Sequence, residues 1–228
     1  MTRTRITIIL GLIWIIPALN AQSFKERLTA MRKTYDTLSK VHIRMSISLF
    51  AGEQSKTPYL RETADVKRNK RDYRYEFGTT NMLMNSKYLI MVDRNSREML
   101  CSKRSLKGED NLFTDPMKIS MDSILSFYEN PRLVSRQDSI EHYAMTQKKG
   151  PIKRVDLFID QLTGLLRKME YRYADGHYVI IEFTTFDTRP PFDENTFHEK
   201  SYVIAADKGV LKASAAFRGY HVVMMDKQ

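Results

Sequence analysis

Few residues in this chain have the type and spacing that catalysis needs. Cys101 is the only cysteine, which excludes an internal disulfide and any metal site built on several cysteines. It lies in the alternating run EMLCSK, which is more typical of a small buried strand residue than of a nucleophile. The histidines are scattered, and no pair of them has the spacing of metal ligands. They are His42, His142, His177, His198 and His221.

The segment FDENTFHEK gathers several ionisable side chains, namely Asp193, Glu194, His198 and Glu199. A glycosidase-like pair would need two carboxyls that converge on a cleft, so we interpret the segment as a solvated turn. The chain also lacks the GxSxG, HExxH, EF-hand and glycine-rich phosphate-binding motifs. We therefore predict a protein with no enzymatic activity, no catalytic residues, no metal site and no cofactor.

The densest basic run is VKRNKRDYRY, in a chain whose formal net charge is +10. Interleaved basic and aromatic residues suit nucleic acid, but the secretion signal described below argues against that partner. We predict instead a basic docking patch for an anionic membrane surface or an envelope protein. The alternative is a solvated hairpin tip whose cations protect a sheet edge. The patch consists of Lys67, Arg68, Lys70 and Arg71.

The N-terminus has the order of residues found in a secretory signal peptide. A basic start precedes an apolar run from Ile6 to Ile16, and Ala21 is a small residue suited to cleavage. The run is short for a membrane span, which takes about 20 residues; an uncleaved anchor is the alternative. Cleavage after Ala21 leaves 228 − 21 = 207 residues with a formal charge of (37 − 2) − 27 = +8. We predict a signal peptide over 1–21 and a periplasmic location for 22–228.

The elements that must position any site begin with a helix. Ser23 and Glu26 form a capping box, and apolar residues then recur at intervals of three and four as far as Leu38. The period changes to two in VHIRMSISLF, which predicts a strand from Val41 to Leu49 with one buried face.

Short strands joined by tight turns follow this first strand. RETADVKR and DYRYEF flank a polar turn at Asn69 to Arg71. The segment NMLMNSKYLIMVD is apolar at most positions, and we interpret its polar break at Asn85 to Lys87 as a hairpin turn between two strands. The run EMLCSK predicts a further strand after the turn DRNSR.

The middle of the chain predicts a second helix. Asp115 and Pro116 suit a helix start, Met117 to Tyr128 have helical spacing, and Asn130 and Pro131 end the helix. Four strands follow, RLVSRQDSIEHYAMTQ, IKRVDLFID, LLRKMEYRY and YVIIEFTTF. The short turns between them predict antiparallel pairing. The predicted fold class is α+β, one domain in which an N-terminal helix and a mid-chain helix cover a large curved antiparallel sheet.

The order of these elements resembles the periplasmic lipoprotein carrier and sorting family of the LolA and LolB type. The likeness rests on VHIRMSISLF, on ADVKRNKRDYRYEF with SKYLIMVDRNSREML, and on the stretch from KRVDLFIDQLTG to FDENTFHEKSYV. Together these cover about Ser23 to Val203. The chain departs from the family in two ways. NKRD and NSK stand where the family commonly has a proline and an Asp-Gly turn. A C-terminal extension begins at about residue 205, and we predict a strand in it from His221 to Met225.

The resemblance implies an unclosed half-barrel whose helices form a lid over an apolar cavity for acyl chains. The implied function is a non-enzymatic periplasmic carrier of a lipoprotein or another lipid. The 13 methionines suit such a cavity because thioether side chains adapt to variable apolar ligands, although plain core filling is the alternative. The alternation of side chains along each strand predicts the lining residues, but it leaves open which of the two alternating sets faces the cavity. These residues are Met45, Ile47, Tyr73, Tyr75, Phe77, Leu89, Met91, Leu157 and Ile159.

Two other functions remain open at this point. An envelope adaptor would fill the half-barrel with its own methionine and aromatic side chains and would dock a partner through the basic patch. A hydrolase with a site that the sequence does not reveal is the third hypothesis.

Overall fold

The computed structural model describes residues 16–104, 127–206 and 210–225, with side chains from Phe24 onward. These ranges contain one α-helix, fourteen strands and two single-turn 3₁₀ helices. The helix is α1 (Ile16–Thr37), and the 3₁₀ helices are Glu199–Ser201 and Ala215–Phe217. The strands are β1 (Lys40–Phe50), β2 (Leu60–Asn69), β3 (Asp72–Phe77), β4 (Thr80–Met84), β5 (Tyr88–Asp93), β6 (Glu98–Lys103), β7 (Tyr128–Gln137), β8 (Ile140–Gln147), β9 (Ile152–Asp160), β10 (Leu166–Tyr173), β11 (Tyr178–Asp187), β12 (Val203–Ala205), β13 (Leu211–Ala213) and β14 (His221–Met224).

Twelve of these strands belong to one sheet. Their order is β14-β6-β5-β4-β3-β2-β1-β11-β10-β9-β8-β7, and β12 and β13 form a separate antiparallel pair. The predicted C-terminal strand is present as β14, which runs parallel to β6. Within the described chain the end strands β14 and β7 each pair on one side only, so the sheet is unclosed. The predicted α+β class, with a large, mainly antiparallel, unclosed sheet and an N-terminal helix, is confirmed.

The part of the predicted mid-chain helix from residue 115 to residue 126 lies outside the described residues. Its predicted C-terminal end is wrong, because Tyr128 to Pro131 belong to β7. The pairing of β7 with β8 shifts register between Glu129 and Arg132, and Asn130 adopts a left-handed φ of 52°. A bulge on an end strand tolerates a proline because no ladder hydrogen bond is needed there.

The run RLVSRQDSIEHYAMTQ forms two strands and not the one predicted. β7 and β8 meet at a tight turn in which Asp138 has a φ of 53°. Aspartate tolerates this left-handed conformation better than most residues, so the turn is compatible with Asp138 although the sequence offers no glycine there. The meander therefore contains five strands.

Helix α1 begins at Ile16, so Ser23 lies inside the helix and the predicted capping-box start is wrong. Residues 1–15 of the predicted signal peptide lie outside the described residues. Among the residues that are described, no helix combines the length and apolar character needed to cross a membrane.

The chain divides into two compact units. The first takes its described residues from Met1–Asp36, Phe50–Lys56 and Ile119–Ile180, and the second from Thr37–Leu49, Thr57–Lys118 and Ile181–Gln228. The prediction of a single domain over 22–228 stays a prediction.

In the first unit, α1 packs on one face of the strands β8–β10. The ring of Phe24 lies 5.1 Å from that of Tyr143. Close by, Arg27 Nε lies 2.6 Å from Glu141 Oε2, a carboxylate oxygen of a buried side chain. The helix thus covers this face with an aromatic contact and a charged one.

The opposite face of the same strands centres on Asp156, which is fully buried. Its carboxylate accepts hydrogen bonds from His142 Nε2 and Arg154 Nη2, both at 2.6 Å, and from Arg172. Burial raises the pKa of Asp156, but these hydrogen bonds and the nearby arginine charges outweigh burial and lower it. A buried carboxylate is tolerated here because its partners replace the lost water.

The core of the second unit lies between β4–β6 and a segment near the C-terminus. This segment consists of residues 192–206 and 210–222, and we call it the C-terminal segment. The buried residues of this core are Leu83, Ile90, Val92, Met99, Cys101, Phe197, Tyr202, Val203 and Leu211.

Candidate functional site

Strands β1–β6 of the second unit have two faces of different character. Directly paired residues of an antiparallel sheet point to the same side, and side chains alternate along each strand. The cross-strand pairs therefore fix which residues share a face. We call the side on which the C-terminal segment packs the C-terminal face, and the opposite side the methionine face.

The methionine face carries seven of the nine predicted lining residues. Met45 lies opposite Ala64, which in turn lies opposite Phe77. Tyr75, Met82 and Met91 form a second row. The third row consists of Tyr73, Met84 and Leu89. Ile47 lies two residues after Met45 in β1, so its side chain points to the same side. The register thus brings residues from five strands, β1–β5, together on one side of the sheet.

Burial varies along the methionine face. Met45, Ile47, Tyr75, Phe77 and Met91 are half-buried and present partly accessible apolar surface. The third row is instead a buried cluster made of Tyr73, Met84 and Leu89. The face is therefore self-filled in that row and partly open in the others.

Met82 and Met84 were missed by the prediction, although both lie on the methionine face. Each pairs directly with a predicted residue, Met82 with Tyr75 and Met84 with Tyr73. The signal was available in the sequence, since these two residues alternate in phase within the strand that precedes the Asn85 turn. Continuing the alternation back from that turn puts both on the side of the aromatic residues.

The last two predicted lining residues, Leu157 and Ile159, belong to β9 in the first unit. Leu157 lies opposite Tyr143, whose ring contacts Phe24 of α1, and Ile159 lies opposite Glu141, which pairs with Arg27. Ile159 is 0% exposed. Both residues thus share the face that α1 covers, and their role in lining a cavity stays a prediction.

The predicted basic docking patch does not form one surface. Lys67 points to the C-terminal face, where its Nζ lies 3.3 Å from Asp65 Oδ1. Arg68 points to the methionine face, is only 6% exposed, and donates from Nη2 to the carbonyl oxygen of Leu38. Arg68 must therefore be removed from the patch. Lys70 and Arg71 are exposed at the turn between β2 and β3 and remain candidates for docking.

Asn85, in the polar break of NMLMNSKYLIMVD, connects the predicted hairpin turn to the C-terminal segment. Its Oδ1 accepts from the backbone N–H groups of Lys87 and Tyr88, both at 2.9 Å. Its Nδ2 donates to Phe197 O at 3.0 Å and to Glu199 Oε2 at 2.9 Å. The turn is therefore confirmed, and its asparagine also fixes a segment more than a hundred residues away in sequence.

The FDENTFHEK segment is only partly the solvated turn that was predicted. Asp193 and Glu194 are exposed, whereas Phe197 is buried in the core of the second unit. Glu199 also binds Lys87 Nζ at 2.7 Å. Burial raises the pKa of Glu199, but the hydrogen bonds from Lys87 and Asn85 lower it overall. The carboxylate of Glu199 is thus engaged in holding the segment on the sheet.

Cys101 lies in the core beneath the C-terminal segment and is 0% exposed. Burial raises the pKa of its thiol to about 11, so a thiolate nucleophile is not available there at neutral pH. Across the described ranges, no three His, Cys, Asp or Glu side chains are grouped as metal ligands would be.

No family model matches the sequence, and the curated proteins contain no match either. Among solved structures, an uncharacterized conserved protein from Thermus thermophilus is similar over 90% of this chain and 100% of its own, with 13% identity and a TM-score of 0.50. The likeness is one of fold.

Two further solved structures show weaker similarity. MucB aligns with 85% of this chain at 14% identity and a TM-score of 0.46, and this chain spans 66% of the length of MucB. A LolA superfamily protein from Nitrosomonas europaea aligns with 78% of this chain and 97% of its own, at 12% identity and a TM-score of 0.31. A solved structure named for the LolA superfamily is therefore among those that this chain is similar to, and the likeness is one of fold alone.

Proposed function

We propose that this chain is a non-enzymatic periplasmic carrier or binding protein that holds the acyl chains of a lipid or lipoprotein against the methionine face. The observation that carries the proposal is the register of β1–β5, because it gathers half-buried methionine and aromatic side chains from several strands on one side of the sheet. The predicted signal peptide supports the periplasmic location.

The chemistry of these side chains suits an acyl chain. Methionine is flexible and polarisable, so a surface rich in it adapts to apolar ligands of different shape. Burial of a CH₂ group contributes about 0.8 kcal/mol, and a chain of about 16 carbons could gain on the order of 12 kcal/mol. Such a ligand needs no covalent attachment to stay out of water.

The test compares two matched substitutions in a fluorescent fatty-acid binding assay. Met91→Glu places a charge on the half-buried methionine face, and we expect it to reduce binding strongly because a carboxylate is costly beside an acyl chain. Met224→Glu makes the same change at a residue that is 38% exposed and pairs with Cys101 on the C-terminal face. We expect this control to bind as the unmodified protein does.

The native cargo can be identified from protein purified from its own host, by organic extraction and mass spectrometry. The carrier proposal expects a co-purifying lipid or lipopeptide. Protein that is consistently free of lipid and also fails to bind the fluorescent fatty acid would rule the proposal out.

A second candidate function is an envelope adaptor, and the buried cluster of Tyr73, Met84 and Leu89 favours it. This cluster fills part of the methionine face with the protein's own side chains. The adaptor would dock an acidic protein or an anionic membrane surface through the exposed Lys70 and Arg71. Loss of a captured partner in the double variant Lys70→Ala/Arg71→Ala, with unchanged fatty-acid binding, would favour this function over the carrier.

A further inference from the structure

The C-terminal face of the second unit contains a polar cavity of about 440 Å³ where β1–β4 extend beyond the apolar core. This volume lies within the range of small-molecule sites, roughly 300–1,000 Å³. The lining is mainly polar and includes two arginines and two carboxylates. These residues are Arg44, Thr63, Asp65, Glu76, Phe77, Gly78, Asn81 and Arg94.

One row of residues paired across β1–β4 forms the polar floor of the cavity. Arg44 lies opposite Asp65, Asp65 opposite Glu76, and Glu76 opposite Asn81. Arg94 reaches the same place from the turn that follows β5. Residues far apart in the sequence thus line a single concavity.

Both arginines of the cavity are held in place by neighbouring side chains. Arg44 donates from Nε and Nη2 to Asp65 Oδ2, at 3.2 and 3.1 Å. Asn81 is 2% exposed. In the orientation of its side-chain amide that gives both the oxygen and the nitrogen a hydrogen-bond partner, its Oδ1 accepts from Arg94 Nη2 at 2.9 Å. Each guanidinium keeps further N–H groups for a ligand. Positioning them in advance reduces the entropy that a ligand would otherwise lose on binding.

The carboxylates of the cavity are already paired with other cations. Asp65 also binds Lys67 Nζ at 3.3 Å, and Glu76 Oε1 accepts from Nε and Nη2 of Arg74 at 2.9 and 2.7 Å. Lys67 and Arg74, which lie outside the lining, thus share the charge of the two carboxylates. The two carboxylates therefore do not fully compensate the two cavity arginines.

We propose that this cavity binds a small oxyanion, a phosphate or a carboxylate group. The planar guanidinium groups of Arg44 and Arg94 present donors in the fork geometry that matches such oxyanions. The hydroxyl of Thr63 supplies a further donor. The site is independent of the proposed acyl-chain function, because its strand residues other than Phe77 alternate with those of the methionine face.

The test measures binding of three probes by isothermal titration calorimetry at a fixed moderate salt concentration. The probes are phenyl phosphate, benzoate and inorganic phosphate. Comparison of phenyl phosphate with benzoate identifies which oxyanion the site prefers. Binding of any of the three probes, weakened by the cavity variants below, supports the proposal.

Arg94→Gln and Arg44→Gln are each expected to weaken binding about tenfold, the equivalent of roughly 1.4 kcal/mol. Arg94→Gln is the cleaner variant because Arg44 also pairs with Asp65. Arg97→Gln is the matched control, since Arg97 is exposed in the same turn as Arg94 but outside the cavity. It should bind as the unmodified protein does. The proposal is overturned if no probe binds, if both cavity variants bind normally, or if Arg97→Gln weakens binding as much as they do.

Discussion

The two faces of β1–β6 are built from alternating residues of the same strands, yet they are completed by different means. On the C-terminal face, a segment distant in sequence covers β4–β6 and leaves Met99 and Cys101 fully buried. On the methionine face, Met45 and Met91 remain half-buried. Similar apolar residues thus form a core on one side and an accessible surface on the other, because among the described residues of the second unit a covering segment packs only on the first side.

The sharpest test of this difference compares the same substitution on the two faces. Met99→Ala should lower the free energy of unfolding by about 2–5 kcal/mol, since it leaves a cavity in a packed core. Met91→Ala should cost about 1 kcal/mol or less, because the side chain is already half-exposed. Urea unfolding curves of both variants measure the two values. Equal losses would show that the methionine face is packed as tightly as the core.

The attachment of the C-terminal segment can be weakened at the Asn85 turn. Asn85→Ala removes four side-chain hydrogen bonds, two to the turn and two to the segment, and should cost about 2–3 kcal/mol in unfolding free energy. Ser86→Ala changes an exposed neighbour and should stay within about 0.5 kcal/mol of the unmodified protein. Thermal unfolding checks both, and an unaffected Asn85→Ala variant would contradict the anchoring role.

The methionine face also holds one buried cation, and its removal separates packing from docking. Arg68→Ala should cost about 1.5 kcal/mol of unfolding free energy, because the carbonyl of Leu38 loses a charged donor. Arg71→Ala, at an exposed turn residue, should change the stability by less than about 0.5 kcal/mol. Chemical denaturation distinguishes them, and equal stability of the two variants would return Arg68 to the docking patch.

The smallest expected effect concerns the acid stability of the C-terminal face. Burial raises the pKa of Asp65, but the hydrogen bond from His42 and the charge of Lys67 outweigh burial and lower it below its ordinary value of 3.8. A lowered folded-state pKa means that the stabilisation is present above about pH 3.8 and is lost as the pH falls through the folded value. Asp65→Asn should therefore flatten the loss of stability below pH 4. Urea unfolding across a pH series measures the slope, and an unchanged slope would contradict the assignment.

Sequence reasoning succeeded where local patterns decide the structure. The alternation in VHIRMSISLF and the turn residues around Asn85 gave strands β1, β4 and β5 close to their observed bounds, because strand phase and turn chemistry are properties of a few neighbouring residues. It was wrong at Tyr128 to Pro131, where helical spacing extended into an irregular end strand. It also placed Arg68 on a surface, since a basic residue gives no local sign of burial.

The sequence by itself determined that β1–β6 are strands in which apolar residues recur in alternating phase. Only the tertiary structure decided which phase becomes core, because that depends on where the C-terminal segment packs and on the free energy gained by burying its apolar side chains. The convergence of Arg44 and Arg94 on one cavity was likewise decided by cross-strand register, which joins residues that no local pattern connects.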